Sequence, residues 1–185
     1  MHRIRILAAV SVATLLAGCQ TTGTVQQNAG GAYVGLQHAE VVLERDILVP
    51  AGQARVFVQG GEPVSAAGLS GAFDSYRPHC AFEIGSVDHG GRPISAGVFK
   101  VVRVEPTIVP VVSAAPLQVA WSGGFVGGGS QSYYDGYHFW LTSDTDRDVR
   151  RMTCYGVYAE PYELYPPTIG DINAALGTVA RLKYR

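Results

Sequence analysis

Residues 53–63 read QARVFVQGGEP, and this stretch decides the fold class. Ala54, Val56 and Val58 fall on one side, Arg55 and Gln59 on the other. A period of two marks a strand with one buried face. Gly60-Gly61-Glu62-Pro63 then breaks the run. Gly reaches backbone conformations closed to other residues, and Pro removes a ladder donor.

The same pattern recurs on both sides. Residues 41–49 are apolar and rich in β-branched side chains, and Pro50-Ala51-Gly52 ends them. Residues 80–86 place Cys80, Phe82 and Ile84 on one face, and Asp88-His89-Gly90-Gly91 follows as a turn. Residues 97–105 form a Val-rich strand with Lys100 and Arg103 outward; Pro106 and Pro110 are expected to end it or confine it to a sheet edge. Residues 117–121 and 137–142 flank a Gly-rich stretch, and residues 148–160 read as one long strand. Neither an internal repeat nor a βαβ alternation is visible. The expected class is mainly β: an antiparallel β-sandwich or barrel-like domain with one short C-terminal helix. That helix is signalled by Thr168-Ile169-Gly170-Asp171, a capping-box pattern with Asp in place of Glu. Ile169, Ile172, Ala175 and Leu176 share its apolar face, Pro166 and Pro167 precede it, and Gly177 stops it. Residues 178–184 are read as a last strand, with Val179 and Leu182 packing inward.

The chain has 185 residues, which allows one domain and a tail. It is 47% hydrophobic and 16% charged, too apolar for a disordered chain. A formal charge of -1 supplies no basic field for phosphates, so no nucleic-acid partner is expected.

Residues 1–19 read MHRIRILAAVSVATLLAGC. Arg3 and Arg5 start a short apolar run that has the layout of a secretory signal peptide. Leu16-Ala17-Gly18-Cys19 resembles the lipobox of bacterial lipoproteins. The resemblance covers the leader alone. It implies cleavage after residue 18 and acylation of Cys19, and several acyl chains give a stable membrane anchor. Gln20, where an Asp would signal inner-membrane retention, implies the outer membrane, with the body facing the periplasm. Losing Arg3 and Arg5 lowers the 14 Lys+Arg to 12 against 15 Asp+Glu, a formal charge of -3. Residues 20–32, QTTGTVQQNAGGA, carry no charge and few large apolar groups. The expected organisation is therefore a signal peptide over 1–18, a lipidated Cys and flexible tether over 19–35, and one β-rich domain over 36–185.

With Cys19 acylated, Cys80 and Cys154 remain for an oxidising compartment, and one disulfide between them is the simplest solution. A reactive Cys80 beside His79 is disfavoured, because adjacent strand residues face opposite sides.

The most unusual stretch is residues 122–136, SGGFVGGGSQSYYDG. It is read either as a mobile loop offering Phe125, Tyr133 and Tyr134 to a partner or as a hairpin tip with no binding role. No helix start or Lys-Ser/Thr follows it, which excludes a phosphate loop. Asp144-Thr-Asp146-Arg-Asp148 resembles the opening of a calcium loop, yet Val149 and Tyr155 stand where such a loop needs Gly and Glu. A charged turn, neutralised by Arg147, Arg150 or Arg151, is the expectation there. His2, His38, His79, His89 and His138 show no metal-binding spacing, and no cofactor is expected. Gly68-Leu-Ser70-Gly71 lacks the spacing of a nucleophile elbow. Tyr155, Tyr158, Tyr162 and Tyr165 are expected to pack over a sheet end.

These readings favour a non-enzymatic envelope lipoprotein that contacts the membrane through its anchor and an envelope protein or peptidoglycan through its body. A carrier of a small apolar ligand and a periplasmic hydrolase are the alternatives.

Overall fold

A computed structural model of the chain describes residues 23–36, 38–64, 73–111 and 132–184. Strands β1 (Thr24–Gln26) and β2 (Tyr33–Gly35) form a hairpin, and β4 (Ile47–Val49) pairs with β8 (Arg92–Ile94). The remaining strands are β3 (Glu40–Leu43), β5 (Arg55–Gln59), β6 (Glu62–Val64), β7 (His79–Ile84), β9 (Gly97–Val111), β10 (Ser132–Thr142), β11 (Val149–Tyr155) and β12 (Ala180–Lys183). They make one antiparallel sheet in the order β12-β3-β9-β10-β11-β7-β5-β6. The sheet curls into a half-barrel, so the protein is mainly β with one short helix, α1 (Ile169–Leu176). No helix among the described residues is long and apolar enough to cross a membrane.

The alternation in residues 53–63 holds through Val58, whereas Gln59 is buried by its side-chain hydrogen bonds to the Asp74 and Arg77 backbone. Val56 and Val58 are buried, and Gly60 and Gly61 join β5 to β6 with φ of 61° and 84°. Two central residues at positive φ make the hairpin turn whose twist matches that of its strands. The inner sheet face buries Val41, Leu43, Val56, Val58, Phe82, Phe99, Phe139 and Met152. On it lie α1, whose Ile169, Ile172, Ala175 and Leu176 are all buried, and the β4–β8 ladder with Ile47, Val49 and Ile94. The capping box is complete: Thr168 Oγ1 accepts from the Asp171 amide, and an Asp171 carboxylate oxygen accepts from the Thr168 amide. Cys80 and Cys154 occupy directly opposed positions of β7 and β11, with sulfurs 2.08 Å apart.

Four boundaries differ from the sequence reading. Residues 41–49 are two strands in different sheets, because Glu44, Arg45 and Asp46 interrupt them in the open. The Asp46 carboxylate accepts from the Ala96 amide, and the Glu44 amide donates to the Val179 carbonyl. Residues 97–105 continue through both prolines to Val111. Beyond Lys100 strand β3 no longer pairs with β9, so among the described strands Pro106 and Pro110 have β10 alone as a ladder partner. Residues 148–160 stop as a strand at Tyr155. A side chain on Gly156 would overlap the Tyr165 carbonyl, and Ala159 returns only as an isolated bridge to Tyr133. The expected tether is also shorter than 19–35. The hairpin starts at Thr24, Val25 is fully buried, and the Gln26 amide donates to the Tyr137 hydroxyl. One buried Val and a docked hairpin suffice where composition suggested none. Residues 1–22, which include Cys19, and the strand expected over 117–121 lie outside the described residues.

Candidate functional site

The outer face of the half-barrel carries two rows of side chains in direct register across five strands. The first row runs Arg103, Trp140, Arg151, Glu83, Arg55 through β9, β10, β11, β7 and β5. The second runs Glu105, His138, Thr153, Ala81, Phe57. Their alternation follows from the pleat: Trp140, His138, Glu83, Ala81, Thr153 and Phe57 each sit between two buried residues, while Arg103, Glu105 and Arg151 have a buried residue on one side.

Strand register turns the rows into a connected network. The Trp140 indole N–H donates to Glu105 Oε2 at 2.6 Å, and the other Glu105 oxygen receives Arg103 Nη1 at 3.1 Å. The Arg103 and Arg151 guanidinium carbons lie 4.9 and 5.4 Å from the Trp140 ring centroid, within cation–π range. Arg151 meets one Glu83 oxygen through both Nε and Nη2 at 2.9 Å. Thr153 Oγ1, fully buried, donates to the other Glu83 oxygen at 3.0 Å. A hydroxyl has one proton, so the 2.8 Å contact from His138 Nδ1 makes that nitrogen the donor and leaves Nε2 as an acceptor. Burial, and then the Arg151 charge, hold His138 below the ordinary imidazole range. The hydroxyl beside the ring is buried and committed to Glu83. The arrangement therefore presents fixed donors, acceptors and an indole rather than an activated nucleophile.

A bulge tunes this face. Arg103 opposes Trp140 while Val101 opposes Leu141, so Val102 is the extra residue. It lets Val101 and Val104 both point inward and turns Arg103 out over the indole.

Further along the strands the face becomes aromatic. His79 lies among Phe57, Phe73, Tyr134 and Tyr155, with centroids 4.7–6.1 Å away. Desolvation lowers its pKa from 6.5 to about 4, opposed by the Arg77 carbonyl. Burial also raises the Tyr134 and Tyr155 phenols.

Tyr133 and Tyr134, expected in a loop, belong to β10. Tyr133 exchanges backbone hydrogen bonds with Ala159, and Tyr134 stacks on Tyr155 and Tyr158. Ordered strand pairing places them where composition suggested a loop; Phe125 lies outside the described residues. Of the four late tyrosines, Tyr155 and Tyr158 join this cluster, while Tyr162 and Tyr165 are exposed. The acidic triplet is a turn held by a residue the sequence reading did not select. Arg92 bridges Asp146 Oδ1 and Asp148 Oδ2, with Asp144 outside the pair. Hydrogen bonding from Ser86 and the charge of Arg92 hold the Asp148 carboxyl below its ordinary range. Among the described residues no three His, Cys, Asp or Glu gather as a metal site.

A second feature lies at the β1–β2 end. A groove of about 930 Å³, open on one side, is lined there by Thr24, Tyr33, Ile108, Asp135, Tyr137 and Pro166, among others.

No family model, curated protein or solved structure matches the chain. The outer face must therefore be read from its own chemistry.

Sequence reasoning missed the two rows because their neighbouring members lie 11 to 72 residues apart in sequence, and only strand register joins them. The available signal was weaker: Arg55, Glu83, Trp140 and Arg151 each occupy an outward position in an alternating run.

Proposed function

We propose that the chain is a non-enzymatic envelope lipoprotein. Acylated Cys19 anchors it to the periplasmic leaflet of the outer membrane, and the outer sheet face holds a protein partner there. One observation carries the partner reading: the register row Arg103–Trp140–Arg151–Glu83–Arg55. Trp, Tyr and Arg dominate the energetics of protein interfaces. Here Glu83 and Glu105 fix the orientation of two Arg and the Trp before any partner arrives, which lowers the ordering cost of binding. The lipobox-like leader, the polar residue 20 and the Cys80–Cys154 pairing support an anchored, oxidising location.

The test is in-cell crosslinking followed by mass spectrometry. A reproducible envelope protein is expected, lost on Trp140→Ala or Arg151→Ala while the folded chain persists. Recovery of no partner with either form would overturn the interface. The groove has the size of a small-ligand site, although Glu105, Asp135, Thr24 and Thr107 interrupt its apolar lining. Co-purified lipid in place of a protein would favour the carrier reading.

A further inference from the structure

We infer that the end of the half-barrel bearing Gly23, Tyr33 and Ile108 rests on the lipid surface that the Cys19 acyl chains enter. The inference rests on the proposed acylation and adds the orientation of the body to it.

Chain length is the first argument. From Cys19 to Gly23 there are four residue steps, and extended chain spans at most ~3.6 Å per residue, so the gap is about 14 Å or less. A tether reaching residue 35 would have allowed roughly 55 Å by the same rule. Headgroups occupy about 5–8 Å of each leaflet, which consumes much of the shorter span.

The tether also has no slack to recruit. A Cβ on Gly23 would overlap the Val104 carbonyl, so the chain lies against the β9 backbone there. Thr24, Val25 and Gln26 are then paired with Gly35, Val34 and Tyr33, and Val25 is fully buried. Peeling this hairpin to lengthen the tether would expose Val25 and break the bond from the Gln26 amide to the Tyr137 hydroxyl.

The surface at that end suits an interface with lipid. Tyr33 is 58% and Ile108 60% exposed, and both line the open groove beside Gly23. Tyr is favoured at headgroup level, where one end of its ring system is apolar and the other wet. Of the charged groups that line the groove, Arg103 and Glu105 pair at 3.1 Å, and burial pushes the Asp135 carboxyl, which stands opposite Ile108, above its ordinary range and so favours its neutral form. The far ends of the same strands carry the Arg92, Asp146 and Asp148 cluster and the turn at residues 88–91, a polar end suited to water.

The test uses the acylated, full mature protein in vesicles of phosphatidylethanolamine and phosphatidylglycerol. A second form carries a Gly/Ser insert of about 20 residues between Gln20 and Thr21, long enough to free the body. Hydrogen exchange is followed by peptide. Exchange over residues 32–36 and 103–111 is expected to be about tenfold slower with the native tether than with the long one. Exchange over residues 85–91 is expected to be the same in both. Equal exchange over 103–111 in two forms that both carry acyl chains and float with the vesicles would overturn the orientation alone. An unmodified Cys19 by mass analysis would overturn the anchor and the orientation together.

Discussion

His79 is 3% exposed and surrounded by rings, and its pKa is lowered from 6.5 to about 4. Between those two values the unfolded chain binds a proton that the folded chain refuses. Stability therefore falls as pH drops through this window, by on the order of 3 kcal/mol at its lower end. Urea unfolding at pH 7 and pH 4.5 should show a steeper loss for the native chain than for His79→Phe. An identical loss in both would mean that other groups, His138 and the carboxylates among them, set the acid limit. Cys80 and Cys154 are 74 residues apart in sequence, so their bond closes a long loop. On the chain-entropy model, Cys80→Ser with Cys154→Ser should cost roughly 4 kcal/mol, read as a lower urea midpoint. An unchanged midpoint would show that the cross-strand pairing needs no covalent tie.

At the scale of elements, the capping box and the proline-bearing edge make separate claims. Asp171 accepts from both the Thr168 amide and its hydroxyl, so Asp171→Ala should cost about 1 kcal/mol of stability in thermal unfolding. On β9 the role of proline is protective. Pro106 and Pro110 leave gaps in the donor row on the side that β3 no longer covers. Pro106→Val with Pro110→Val restores two donors on an exposed edge beside Ile108 and Val109. The double variant should associate at concentrations where the native chain does not, which sedimentation velocity would show. Helix α1 was legible because cap, periodicity and stop signal all lie within a dozen residues. The end of β9 was not, because whether Pro terminates a strand or borders it depends on which neighbour lies alongside. Residues 41–49 misled for a related reason: hydrophobicity averaged over nine residues hides a three-residue charged corner. Tyr133 and Tyr134 were assigned by the glycines before them, whereas their pairing with Pro110 and Val109 is a long-range fact.

At the scale of the molecule, the half-barrel separates three tasks by face. The inner face holds the core under α1 and the β4–β8 ladder, the outer face presents the Arg, Trp and Glu rows, and the described chain begins at the β1–β2 end with Gly23. That division depends on the N-terminal hairpin being part of the domain. Val25 decides the matter, since it is fully buried and stands 11 residues before the boundary at residue 36 that composition suggested. A charge buried there without a partner costs about 3 kcal/mol or more. Val25→Asp should therefore lower the urea midpoint of the whole domain in a single transition, while Gln27→Asp, at an exposed neighbouring position, should leave it within about 0.5 kcal/mol of native. If Val25→Asp instead leaves the midpoint unchanged, the hairpin is peripheral to folding. The short tether we propose would then lengthen at little cost, and the outer face would be free to turn in any direction about the proposed anchor.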